Sequence, residues 1–306
     1  MFKFKQRKLK DFQILEFPEA LSNDISSIEI GDVLGNLSRV KKNTFVGRFT
    51  PKEMFEILKK TKMIDHLQKK GFDDFRIIVD NDDSGVSYMK LYSGGISPED
   101  MLVDLRLSEN KFLPDKKYFP FDASVPTYDM ICIEWLAAQN PRRSFDNADG
   151  SKPQLPGQVK PGLGLLKYCF NVMYAVGREV TKDGFMDVPD HMHGAIMYAK
   201  KFKFFDPRHE AILHAILRDL RKYSLSDITW GMITETIFDT YKNLPQKYDP
   251  SEQVFALTPR LKKYSKSVTY KTIYAKYYHI KKYRFDYAAM VKKREEMLKS
   301  KSITDL

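Results

Sequence analysis

The sequence predicts an α+β fold extended at its C-terminus by helices. Two patterns predict it. The first is the element order: an amphipathic helix, three strands in a meander and a fourth strand, followed by helix, strand, helix and strand in alternation. The second is the charge distribution. Residues 255–306 hold 14 Lys/Arg and 4 Asp/Glu, a net of +10 in a chain whose total is +11. The body is therefore nearly neutral and the tail strongly basic.

Length and composition set the bounds. A chain of 306 residues can bury a substantial core, as one large domain or two smaller ones. Its 42% hydrophobic and 13% aromatic content are those of a folded protein, not a disordered one. No apolar run approaches the ~18 residues needed to span a bilayer. The basic start, M-F-K-F-K-Q-R-K-L-K, runs into D-F-Q-I-L-E-F-P-E-A instead of the apolar stretch of a signal peptide. A cytoplasmic location is the expectation that follows. Cys132 and Cys169 are the two cysteines, each within an apolar segment, and two core thiols are expected in preference to a disulfide.

The elements follow in order. Residues 1–45 mix short basic, acidic and apolar runs and are read as a strand or two with loops. Thr50-Pro51-Lys52-Glu53 opens a helix: Thr50 caps, Pro51 suits the first turn, and Glu53 stands three residues after the cap. Its apolar positions keep a helical period to about Lys70. Asp74–Val79 reads as a strand, Asp80–Gly85 as a turn, and V-S-Y-M-K-L-Y-S as the returning strand. Met101–Leu107 is a third strand. Tyr128–Ala138 looks like a strand buried on both faces for most of its length. Residues 139–161 form a long polar loop rich in Pro and Gly, a type that is usually functional or disordered. A helix is expected over 164–181, a strand at 185–188, a helix over 190–201 and a strand at 203–205. Two further helices are expected over 207–222 and 226–243, the second ended by Leu244-Pro245.

The candidate chemistry begins in V-K-P-G-L-G, residues 159–164, just before a helix. Gly162 and Gly164 let backbone approach an anion, and the N–H groups of the next helix point at it. Lys160 adds a cation, Leu163 lies between the glycines, and Gln158 adds a neutral donor. The plain alternative is a surface turn whose glycines serve backbone geometry alone. Glu134 lies in M-I-C-I-E-W-L-A-A, where burial raises a carboxyl's pKa unless a cation pairs with it. Its plain readings are a structural partner of Arg142, Arg143 or a Lys, or a strand end where it meets solvent. Tyr198 sits on a helix, where the more frequent fate of a Tyr is a core ring with its hydroxyl bonded.

These segments resemble the GNAT superfamily of N-acyltransferases, which bind acyl-coenzyme A. In that family a Gln/Arg-x-x-Gly-x-Gly/Ala turn holds the pyrophosphate. Here the two glycines match, with Val159 at the Gln/Arg position, Gln158 one place early and Lys160 one place late. The family's Asn-x-x-Ala-x-x-x-Tyr-x-x-x-Gly-Phe segment corresponds to His191 through Phe204. Tyr198 matches, Gly194 stands for Ala, His191 for Asn and Phe202 for Gly, and the final Phe comes one residue late.

The resemblance implies a GNAT-like mixed central sheet flanked by helices over residues 45–206. A segment 1–44 precedes it, and a helical, basic, Tyr-rich extension 207–306 follows. It implies acyl-coenzyme A as cofactor, acetyl-coenzyme A by default, held at Gln158, Lys160, Gly162, Leu163 and Gly164. Glu134 would deprotonate an amine substrate and Tyr198 would protonate the departing thiolate. The alternatives are a GNAT-shaped protein that binds without turnover, or a nucleic-acid-binding protein acting through the tail.

Asp190-His191-Met192-His193, with His209 and His214 further on, fits no strong zinc spacing, so no metal is expected. The absence of G-x-S-x-G, P-loop and complete Rossmann patterns argues against hydrolase, nucleotide triphosphatase and dehydrogenase readings. Lys and Arg interleaved with seven tyrosines in the tail suit a nucleic acid, another acidic partner or a membrane surface. The spacing of Tyr270, Tyr274, Tyr277 and Tyr278 instead favours a helix packed on the body through its tyrosines.

Overall fold

Thr50 and Glu53 form the reciprocal cap their spacing requires. The Thr50 hydroxyl accepts from the Glu53 N–H, and the Glu53 carboxylate accepts from the Thr50 N–H at 2.7 Å. Helix α1, Pro51–Lys60, buries Met54, Ile57 and Leu58. The helical period does continue towards Lys70, but not in one helix. Lys62 adopts φ 64°, a left-handed backbone that ends α1 and lets α2, Met63–Gln68, start at a new angle. The computed structural model describes residues 44–120, 124–145 and 154–305, all in the unit Asn43–Leu306. The expected 1–44 segment therefore lies, apart from Thr44, outside the described residues.

Four strands follow as an antiparallel meander: β1 Phe75–Asn81, β2 Val86–Ser93, β3 Met101–Phe112 and β4 Tyr128–Ala138. Asp82 closes the first hairpin by accepting from the Ser84 and Val86 N–H groups at 2.9 and 3.0 Å. Val103, Leu105 and Leu107 of β3 face the main core with Met89, Leu91, Ile131 and Ile133. Asp104, Arg106 and Ser108 alternate to the opposite face. The β3–β4 register is interrupted once: Arg106 pairs with Trp135 and Leu107 with Ile133, so Glu134 has no partner across the ladder. This is a β-bulge, a device that bends a strand and re-aims a side chain.

After β4 the chain changes direction through α3, Leu166–Glu179, and returns as β5, Gly184–Asp187, parallel to β4. A parallel return needs such a crossover. Strand β9, Gln253–Ala256, then pairs antiparallel with β5, and β6, Lys203–Phe204, with β9. The result is a seven-stranded mixed sheet, β1-β2-β3-β4-β5-β9-β6, flanked by helices. The parallel ladder is short. It joins Met130 to Gly184, Ile131 to Phe185 and Cys132 to Met186, and then stops. Beyond Cys132, β4 runs on to Ala138, while Asp187 pairs only with Gln253 on the other side.

Between β5 and β6 lies α4, Met192–Tyr198, shorter than the 190–201 expected. Between β6 and β9 the chain inserts α5, Pro207–Asp219, and α6, Leu225–Ile233. The single helix expected over 226–243 is overturned. Helix α6 stops at Ile233, Glu235 takes φ 53°, and β7, Ile237–Asp239, and β8, Leu244–Pro245, form a hairpin. Asp239 holds that turn by accepting from the Tyr241 N–H at 3.0 Å. A distant strand, β10 Tyr283–Phe285, completes a second, three-stranded sheet. The basic tail supplies α7 Pro259–Lys266, α8 Val268–Ile280 and α9 Tyr287–Leu298 besides β10. The sheet's β9 also lies beyond residue 206, so the main sheet is completed only after the helical insertion. Among the described residues no helix is long and apolar enough to cross a membrane.

Candidate active site

The Gly-rich turn is fastened to the end of β4. Asn140 N–H donates to Pro161 O at 2.7 Å, Leu163 N–H to Ala138 O at 3.1 Å, and Gln139 bridges Gly162. Leucine and glycine alternate for a reason: Leu163 and Leu165 are buried in the main core, while Gly162 and Gly164 face outward. Gly164 has φ 72°, which favours glycine, and a Cβ there would meet nothing within 4 Å. A Cβ on Gly162 would approach Ala138 O at 3.7 Å, an ordinary contact. No side chain caps α3 at Leu165; the Tyr168 N–H donates to Leu165 O at 2.8 Å, which leaves the Leu166 and Lys167 N–H groups without a partner among the described residues. Lys160 is half-buried. Gln158 turns inward: its side-chain oxygen accepts from the Leu155 N–H at 3.2 Å and shapes the preceding turn. Gly157 N–H donates to Ile303 O at 2.9 Å, so the tail returns to brace this loop. Residues 146–153 of the long loop lie outside the described residues.

Glu134 is exposed, not buried as its apolar neighbours imply: it follows the core-facing Ile133 onto the opposite face, with Ser108, and the bulge then sets Trp135 on that face as well. It pairs with no arginine or lysine among the described residues. Its carboxylate accepts a short hydrogen bond from the Ser108 hydroxyl, which in turn accepts from Asn110 Nδ2 at 2.8 Å. Arg142, one of the partners considered for it, instead donates to Gly71 O at 2.6 Å. Cys132 is a free thiol, as is the buried Cys169.

Tyr198 is only 9% exposed. Its ring stacks on Phe202 at 5.2 Å and meets Phe170 edge-on at 5.8 Å. No described residue hydrogen-bonds its hydroxyl. Burial, then Asp187 and Cys169, push the phenol's pKa well above 10, so it is neutral and acts first as a hydrogen-bond donor.

Asp187 is the site residue that sequence reading missed. It ends β5 where the parallel ladder has stopped, and it is half-buried. Burial, then the neighbouring Asp190 and Glu134, raise its carboxyl from 3.8 to about 7. Its charge also acts on Tyr198. Asp187 therefore links the two expected catalytic side chains: Glu134 and Tyr198 share its electrostatic neighbourhood at one end of the β4–β5 pair. A half-buried carboxyl poised near neutrality can take a proton from a substrate and return it to water. The available signal was an acidic residue at the C-terminal end of an expected central strand.

The histidines belong to a different pattern. His191 and His193 stack at 5.4 Å, and burial followed by His191 lowers His193 to about 4. Among the described residues no group of three or more His, Cys, Asp or Glu is placed to hold a metal ion. Comparisons with family models, curated proteins and solved structures return no match to this chain.

Proposed function

We propose that this chain is an acyl-coenzyme A-dependent N-acyltransferase, moving an acyl group, acetyl by default, to an amine. The observation that carries the reading is a juxtaposition. The 161–165 turn is bonded to the far end of the strand that bears Glu134, at Ala138–Asn140, in the direction in which β4 runs on after its pairing with β5 stops at Cys132. In open sheets, ligands bind beyond the C-terminal ends of parallel strands. The turn, Glu134 and Asp187 all lie at that end of the parallel pair. The GNAT-like order of helix, meander and parallel crossover supports the same reading.

The turn offers the pyrophosphate what such a group needs: exposed glycines, open N–H groups at the start of α3, and Lys160. In the reaction the acceptor ammonium first gives a proton to a carboxylate. The amine nitrogen then attacks the thioester carbonyl carbon, the C–S bond breaks, and the proton that this nitrogen sheds on becoming an amide passes to the departing thiolate. An amide and the free thiol of coenzyme A leave. Glu134 and Asp187 are the carboxylates at the acceptor side. Tyr198 donates a hydrogen bond to the sulfur, and because its phenol is held so firmly protonated, complete transfer from it runs uphill.

The test is a thermal shift of the full chain with coenzyme A and acetyl-coenzyme A. A ligand that binds only the folded state stabilises it by about 2.7 kcal/mol at 100 times its Kd. Gly162→Val is expected to keep the unliganded melting temperature and lose the shift. The acyltransferase reading does not survive the absence of any shift with every acyl-coenzyme A tried. A full shift in the folded variant removes the turn from the site. Binding with no acylation of any amine leaves a GNAT-shaped binding protein.

A further inference from the structure

The turn that joins β7 to β8 leaves apolar side chains in water on a braced support. Tyr241 is 83% exposed and Leu244 59%. Ile280, the last residue of α8, is 53% exposed. It lies close to them, because Thr240 N–H donates to Lys282 O at 2.9 Å. The turn is held by Asp239, which is buried and paired with Lys281. Its carboxylate accepts from the Tyr241 and Lys242 N–H groups at 3.0 and 3.3 Å, and its carbonyl from the Asn243 N–H at 2.8 Å. Arg284 of β10 donates to Asn243 Oδ1 at 3.1 Å and lies over the Phe238 ring. Apolar residues exposed singly are ordinary, but three gathered on a braced turn and the adjoining helix end make a patch.

The free charge around the patch is of one sign. Lys242, Lys276, Lys282 and Arg284 are exposed, and none of them forms an ion pair among the described residues. Lys276 stands one turn before Ile280 on the same face of α8. The neighbouring acids are engaged: Asp239 by Lys281, Asp219 by Arg218 and Glu235 by Lys247, while Asp286 caps α9. Along the chain no Asp or Glu occurs between Glu252 and Asp286, a stretch that holds nine Lys/Arg.

We infer that the β7–β8 turn and the end of α8 form a docking face for an anionic membrane surface. Tyr241, Leu244 and Ile280 enter the headgroup boundary, and Lys242, Lys276, Lys282 and Arg284 meet the lipid anions. A Tyr suits that boundary, since its ring is apolar and its hydroxyl stays wet. Lysine stems lie along apolar surface while their ammonium groups remain at the headgroups. RNA matches the cations, but it favours stacking rings, of which the patch has one, and it offers the aliphatic Leu244 and Ile280 no hydrocarbon. A second copy of the same face brings like charges together. The attachment is peripheral and reversible, and it stands independently of the acyltransferase reading.

The experiment is co-sedimentation of the full chain with phosphatidylcholine vesicles, either pure or carrying about 30% phosphatidylserine. Binding to the anionic vesicles alone is expected, and ~1 M salt is expected to weaken it by shortening the reach of charge from ~10 to ~3 Å. Tyr241→Ser combined with Leu244→Ser is expected to weaken binding ~10-fold or more. The melting temperature stays unchanged, since both side chains are already in water. Lys242→Ala combined with Lys282→Ala is expected to cost on the order of 5-fold for each cation. Lys52→Ala combined with Lys60→Ala removes the same charge from α1 and is expected to leave binding unchanged. Absence of binding to the anionic vesicles overturns the inference, as does equal binding to the neutral ones. So does undiminished binding of the Tyr241, Leu244 variant. An equal loss in the α1 variant overturns it too, because net charge then accounts for the binding. Binding of poly(U) RNA that the Tyr241, Leu244 variant loses, with no binding to vesicles, assigns the face to RNA instead.

Discussion

Asp187 is held in a state that opposes folding, and the sign of the effect is testable. Its carboxyl titrates at about 7 in the fold against an ordinary 3.8. Between those values the native chain holds a proton that the unfolded chain has lost. Stability therefore falls as pH rises through that window, and the cost is fully present above about pH 7. Each tenfold difference in proton affinity between the two states is worth ~1.4 kcal/mol. Asp187→Asn is expected to stabilise the protein at pH 8 by on the order of 1–3 kcal/mol and to leave it nearly unchanged at pH 4. Denaturant unfolding at the two pH values measures the difference, and equal effects at both would contradict the assignment. Such a cost is common where a group is poised for function. The residue scale also shows why the sequence revealed only part of the site. Glu134 is conspicuous because Ile133 and Trp135 flank it, and Tyr198 because it matches a family position. Asp187 has a weaker signature, an acid at the end of an expected strand. Its shift comes first from burial in the assembled fold, then from Asp190, and last from Glu134, 53 positions earlier and brought near by the parallel pairing of β5 with β4.

At the scale of elements, the meander and its Asp82 turn were legible because alternation and turn chemistry act within a few residues. The bulge at Glu134 was not, because a bulge is a property of two strands and only one is read at a time. The β7–β8 hairpin was concealed for a similar reason: Ile237–Asp239 is apolar enough for a helix, and its strand partner β10 lies more than 40 residues further on. The bulge separates chemistry from geometry in a way two variants can test. Glu134→Gln keeps the extra residue and is expected to lower turnover ~100- to 10,000-fold with coenzyme A binding intact, the usual range for an acid–base group. Deleting Glu134 joins Ile133 to Trp135, whose partners Leu107 and Arg106 are already consecutive, so the ladder becomes continuous and residues 135–138 keep their partners and faces. The bonds from Ala138 and Asn140 to the 161–163 turn keep their register, and what is lost is the carboxylate and the bend. The deletion is expected to lose turnover and to keep coenzyme A binding. Loss of the thermal shift in the deletion variant would show that the bend itself positions the turn.

At the scale of the whole molecule, the basic tail is built into the body. Its tyrosines are engaged in packing, as their helical spacing led us to expect, and most of its lysines are left to solvent. Tyr264 stacks on Phe205 at 4.1 Å and donates to Phe205 O at 2.9 Å. Tyr270 donates to Phe204 O at 2.8 Å, Tyr274 shares a hydrogen bond with His214 at 2.8 Å, and Arg218 lies over Tyr278. The cluster that Tyr264, Tyr270 and Tyr274 join also contains Tyr128 and Met130 of β4, so the tail supports the strand that carries the candidate site. Arg260 of α7 pairs with the buried Asp183, just before β5. Tyr264→Ala removes a ring packed on both sides, and large-to-small changes of this kind cost about 3–5 kcal/mol. The variant is expected to melt well below the parent and to lose any coenzyme A shift with the fold. Limited trypsin digestion tests the same packing without substitution. Lys262, Lys263, Lys266, Lys271 and Lys276 are exposed but lie on ordered helices, so cleavage there is expected to be slow. A free polycationic arm behaves otherwise. It is cut at once, leaves the melting temperature of the remainder unchanged, and binds RNA with a steep salt dependence, because each phosphate contact releases counterions. That set of results would make the tail an independent nucleic-acid arm and detach it from the site at the β4–β5 end.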